Sequence, residues 1–181
     1  MALAKEQPSL DAWAVLSLLR ERDTHGWVLV RALAPKGEIG RVWSIRHAVV
    51  YRTIGLLIDA GLVERAGVEP GARGSPRTLL HLTAPGRRAV EHWLNEPVLH
   101  VRDLRSALLL KLLFAQRSRL DPTPLLLAQR TILVEAIEAL GRQIDDGDHA
   151  ETTLRAFRLE TAHAGLRFVE GELDRLGLPE P

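Results

Sequence analysis

WSIRHAVVYRTIGLLIDAGLVER, residues Trp43–Arg65, is the stretch on which the reading of the whole chain turns. Its apolar residues Val50, Ile54, Leu57 and Ile58 fall three or four apart, the spacing that lines one face of an α-helix. Arg46, His47, Arg52 and Thr53 are expected off that face. Ser44 is placed to cap the helix start and Gly61 to end it, ahead of a strand that opens at Leu62 and Val63. A docked stripe behind an exposed Arg/His/Thr face suits a helix that reads a DNA major groove. Arginine can pair bidentately with guanine or phosphate, and threonine can meet a thymine methyl or a backbone oxygen. The same pattern also describes an ordinary amphipathic helix with a solvated basic face.

The segment after the helix separates these two possibilities. Residues 62–68 and 78–83 read as short strands joined through EPGARGSPR, whose glycines and prolines require a turn; it carries Arg73 and Arg77 with no acid between them. Helix, glycine, strand, basic turn, strand is the layout of a winged helix, whose hairpin can lie along the phosphate backbone or in the minor groove.

Upstream, Leu10, Trp13, Ala14, Leu16, Leu18 and Leu19 keep a helical period over residues 9–22, with Asp11 in the first turn where the helix dipole favours it. A second helix is expected from Thr24, as N-cap, to Leu33, stopped by Pro35. Residues 36–41, KGEIGR, read as a loop. Downstream, Pro85 marks the first turn of a helix running through Ala89, Val90 and Trp93, and a domain boundary is expected at Pro97.

Beyond it everything reads as helix. Residues 103–116 are so leucine-dense that they need cover on more than one side, and residues 124–144 repeat Leu126, Leu133 and Leu140 every seven positions. Over residues 150–176, Leu159, Ala162, Leu166, Val169, Leu173 and Leu176 form one seam. Leu154, Phe157, Ala164 and Phe168 form a second apolar set. Two apolar faces on one helix exceed what one small domain can cover, so a two-fold homodimer through the C-terminal helices and the first helix is expected, against the alternative of a monomeric three-helix bundle. The fold class is therefore mainly α: a winged helix-turn-helix with a two-stranded wing over residues 1–97 and a helical dimerisation domain over 98–181.

Composition narrows the classes. The 181 residues, 46% of them hydrophobic, suffice for a packed core in one large or two small domains. The absence of cysteine excludes a disulfide framework. MALAKEQPSLDAW has no signal-type apolar core, and no run approaches the ~20 apolar residues of a membrane span. A soluble cytoplasmic protein is the simplest expectation. Net charge is only +1, but through Asn95 thirteen Lys/Arg stand against nine Asp/Glu, and from Glu96 onward eleven against fourteen, so the basic half holds the candidate reader.

In several places the chain resembles the PadR-type transcriptional regulators. His25–Gly26 occupies the slot of that family's Tyr-Gly pair. Val49, Val50, Tyr51, Leu57, Asp59, Ala60, Gly61, Leu62 and Val63 are similar to its central signature, and Arg77, Leu80, Leu82, Thr83, Gly86 and Arg87 to its wing end. Asp103, Leu104, Leu110, Lys111 and Leu112, and the final helix from Glu160 to Leu173, extend the likeness. Arg52 stands where the family has proline, and Leu80 and His81 where it often has a wing tyrosine. The resemblance implies a dimeric repressor that binds a palindromic double-stranded DNA operator and responds to a small effector. It implies that Tyr51 donates its phenol hydroxyl to a phosphate, against the alternative of a ring packed within the helix-turn-helix. Ser44, Arg46, His47, Arg52 and Thr53 are the other helix contacts, with Arg46 placed for base readout near the helix start. Arg73 and Arg77 are the wing contacts, and Arg41 is either a phosphate contact or a solvated loop charge.

Other classes have less support. The seven histidines are scattered, and none forms a His-x-x-x-His pair beside a carboxylate. Asp145, Asp146, Asp148 and His149 read as a polar loop rather than a metal site. The glycines of GARGSPR lack a phosphate-loop lysine, and no nucleophile–base pair stands out, so no enzyme, metal or cofactor is expected. The competing class is a winged-helix protein-interaction module without DNA readout. Trp13, Trp93 and Phe114 are candidates to stack a planar aromatic effector where the two domains join, with core packing as the alternative reading.

Overall fold

The computed structural model describes residues 8–69, 76–142 and 148–177. They fall into two compact units, Met1–Leu94 and Asn95–Pro181. Arg73 of the wing, Ile144, and the acids Asp145 and Asp146 lie outside the described residues. No described helix is long and apolar enough to cross a membrane.

In the first unit, α1 (Leu10–Glu21) begins at Ser9, whose side chain accepts the Ala12 N–H. The expected N-cap at Thr24 is corrected. Thr24–His25 is a two-residue strand, β1, and α2 starts only at Gly26 and runs to Leu33. The reason lies far along the chain: Thr24 pairs with Leu80 and His25 with Leu79 of β3 (Arg77–Leu82), which also pairs with β2 (Val63–Glu69). The two-stranded wing, β2 and β3, is thus the outer part of a three-stranded antiparallel sheet of order β1-β3-β2.

The central helix, α3, spans His47–Asp59. Ser44 does not cap it, because Ile45 is buried and its N–H bonds to the Leu33 carbonyl at 2.9 Å, which holds the chain extended until Arg46. The end is as expected: Gly61 takes φ +69°, its N–H bonds to Ile58, and the Leu62 N–H reaches back to Leu57, both at 2.9 Å. This paired closure with a left-handed residue satisfies the last carbonyls of a helix, and glycine alone adopts it without strain. Thr83 then joins helix end to wing end: its hydroxyl donates to the Gly61 carbonyl at 2.8 Å and accepts the Gly86 N–H at 3.1 Å. That fixes the start of α4 (Ala84–Asn95). Val15, Leu16, Leu19, Leu29, Leu33, Val50, Leu57, Val63, Leu82 and Val90 form the buried interior.

In the second unit, the helix expected over 103–116 opens with a 3₁₀ turn (Val101–Asp103) and a π turn (Leu104–Leu108) before α5 (Leu109–Arg117). It packs with α6 (Thr123–Arg142) and α7 (His149–Arg175), the latter capped by Asp148. Val98, Leu104, Leu108, Leu125, Leu126, Leu133, Ala162, Val169 and Leu173 make one core. Of the α7 seam, Ala162, Val169 and Leu173 are buried and Leu176 is exposed; of its second apolar set, Leu154, Phe157 and Phe168 are exposed.

Among the described residues of this unit, two polar side chains are buried. Gln129, 0% exposed, clasps Val98: Oε1 accepts its N–H at 2.6 Å and Nε2 donates to its carbonyl at 2.9 Å. Lys111 donates from Nζ to the Glu96 carbonyl at 2.6 Å. Burial lowers its pKa from 10.5 to about 8, and the Glu96 carboxylate offsets part of that shift. The unfolded chain therefore binds this proton more tightly than the folded one, and stability rises as pH climbs from about 8 toward 10.5. Urea midpoints of this transition are expected to rise across that window in the natural chain and to stay flatter in Lys111→Met; parallel curves would refute the charge burial.

Candidate nucleic-acid interface

Val50, Thr53, Ile54 and Leu57 are the buried residues of α3, and the other side of the helix faces solvent. Thr53 is 5% exposed, which corrects its place among the DNA contacts. Positions 50, 53, 54 and 57 follow the three-and-four spacing of one helix face, so Thr53 lies inside the apolar arc rather than beside it. Ser44, Arg46, His47, Tyr51 and Arg52 are all exposed, and no Asp or Glu occurs between Trp43 and Ile58. The outward side is therefore a row of positive and hydrogen-bonding groups on a rigid backing.

Tyr51 stands 46% exposed with its ring 5.0 Å from that of His47. Its other neighbour is Gly26: a Cβ there would come within 2.8 Å of the Tyr51 ring. The bare backbone at the start of α2 is what leaves room for this ring.

Three further residues shape the wing root. His25 of β1 reaches both wing strands, with Nδ1 3.1 Å from the Thr78 carbonyl oxygen and Nε2 3.1 Å from a Glu69 carboxylate oxygen. Trp27, 38% exposed, holds the Arg77 guanidinium 5.2 Å and that of Arg31 5.5 Å from its ring centroid. Such cation–π contacts are worth about 0.5–1 kcal/mol each at exposed sites. Arg77 is thus a half-buried cation anchored at the base of the hairpin. The role of Trp27 escaped the sequence reading, which gave the helix ending at Leu33 no site residue; the Trp27/Arg31 spacing of four was the available signal.

The effector candidates are divided between the two units. Trp13 and Trp93 stack directly, with centroids 5.2 Å apart and planes within 7°, so each covers the face of the other. Phe114 belongs to the second unit and is 1% exposed. These placements favour the core reading of all three. No cluster of metal-ligating side chains occurs among the described residues.

Residues 15–92 match the model of the transcriptional regulator PadR-like family. No curated protein matches the chain. Among solved structures, it is similar to Bacillus subtilis PadR in complex with operator DNA, at 19% identity over 92% of this chain and 99% of that one, with a TM-score of 0.48. It is also similar to smu.1604c from Streptococcus mutans UA159, at 14% identity over 90% and 98% of the two chains, with a TM-score of 0.42.

Proposed function

We propose that the protein, whose residues 15–92 match the model of the transcriptional regulator PadR-like family, binds double-stranded DNA as a homodimeric repressor of a palindromic operator, released by a small-molecule effector. The observation that carries this reading is the side of α3 on which Arg46, His47, Tyr51 and Arg52 are all exposed, backed by a buried stripe and flanked by an arginine-bearing wing. Arg46 at the helix start reads a base edge, while Tyr51, Arg52 and the wing arginines Arg73 and Arg77 hold phosphates. Pairing is supported by the exposed Leu154, Phe157 and Phe168 of α7, an apolar surface that a second copy would cover.

The test is fluorescence anisotropy on the duplex that the protein selects from genomic fragments. Affinity is expected to fall steeply with salt, with a log–log slope near −0.9 per phosphate neutralised. A protein-interaction module would select no duplex and show no such slope. Light scattering is expected to give a dimer, and Phe157→Glu a monomer.

His25 acts here as a positioning residue. His25→Ala unties both wing strands and is expected to weaken duplex binding about threefold to fivefold, the range of an exposed polar pair, with the melting temperature nearly unchanged. Unaltered anisotropy in this variant would remove the clamp from the account.

A further inference from the structure

A hollow of about 350 Å³ opens between the start of α2, α3 and the wing strands, within the ~300–1,000 Å³ range of small-molecule sites. Its lining includes the apolar and aromatic side chains of Tyr51, Ile58 and Leu80 and the two cationic residues Arg65 and Arg77. Trp27 already holds Arg77 in place, so a ligand does not have to order it. Gly55 also lines the hollow, and a Cβ added there would meet nothing within 4 Å. Glycine inside a helix is destabilising, and no close neighbour requires it at this point of the 13-residue α3. What it preserves is the opening.

We propose that this hollow binds a nucleoside monophosphate, with the ring against Tyr51, Ile58 and Leu80 and the phosphate on Arg65 and Arg77. A phosphate monoester, at about −1.5 to −2, matches two guanidiniums better than a carboxylate does. The Glu69 carboxylate is engaged by His25, which leaves the cationic side to the ligand. A ring and a phosphate also come together in a nucleotide of bound DNA, whose phosphodiester carries a single charge, and only this second source rests on the DNA-binding function proposed for α3 and the wing.

Calorimetric titration of the full chain with adenosine 5′-monophosphate, without DNA, is expected to show one saturable site with Kd of about 10–100 µM. Adenosine alone and inorganic phosphate alone are each expected to bind at least about tenfold more weakly. Gly55→Leu fills the hollow and is expected to abolish binding. Gly55→Ala is expected to weaken it severalfold while raising the melting temperature by about 2–4 °C, which keeps the test valid if the leucine variant does not fold. If Gly55→Leu loses the nucleotide but keeps the duplex, the source is a free nucleotide; if it loses both, the seat is for a nucleotide of the bound strand. No saturable binding up to about 5 mM, or unchanged binding in both Gly55 variants, overturns the proposal. Failure of the DNA-binding function is distinguishable, since it shows as no duplex selected while the nucleotide titration stands.

Discussion

Replacing Arg46 and Arg52 by alanine in one chain is expected to weaken duplex binding about 10³-fold. A well-placed arginine contact to a base or phosphate contributes about 1–3 kcal/mol, and two at about 2 kcal/mol each give three decades. The fold has no stake in either side chain. Both are exposed, and Arg46, although it is the N-cap residue, makes no side-chain cap bond. A cation at a helix N-terminus opposes the dipole, so alanine there is neutral or slightly stabilising. The melting temperature should therefore hold while binding falls, which separates lost contact from lost structure. The two single variants assign roles. If Arg52 neutralises a phosphate, its loss lowers the salt slope by about 0.9 and weakens all sequences alike. If Arg46 reads a base, its loss relaxes preference at one operator position in each half-site. Unchanged anisotropy in the double variant would remove α3 as the reader.

Gln129→Leu is expected to destabilise the Asn95–Pro181 unit by about 2–5 kcal/mol. Leucine nearly matches the volume but leaves both the N–H and the carbonyl of buried Val98 without their partner. Each buried orphan costs about 1–3 kcal/mol. For a unit of this size that is a drop of roughly 10–25 °C in its own transition. Gln129→Glu sharpens the test. Its carboxylate can accept the Val98 N–H but has nothing to donate to the carbonyl, and its charge is buried. Protonation restores the donor and removes the charge, so this variant should be least stable near neutral pH and recover as pH falls. Calorimetry on both variants checks this. A wild-type transition in Gln129→Leu would show that the clasp carries no stability.

The exposed row Arg46, His47 and Arg52 was legible because exposure on a helix follows from position relative to an apolar stripe only a few residues long. Thr53 was misread by one step around the same helix: a β-branched polar residue sits between Val50 and Leu57 and completes the stripe. Ser44 was misread for a different reason, since the Leu33 carbonyl draws Ile45 into an extended bond that local sequence does not announce.

The order and approximate position of the helices, the glycine stop at Gly61 and the strand–turn–strand order after it are encoded by neighbours within one or two turns, and so they could be read from the chain alone. The third strand, the His25 tie and the Trp27–Arg77 bracket could not. Their partners lie far apart along the chain, 53 residues from His25 to Thr78, and a two-residue strand has no period of its own. Which polar groups ended up buried, Gln129 around Val98 and Lys111 against Glu96, was likewise settled by packing, because a side chain's solvent is supplied by segments its own neighbourhood does not contain.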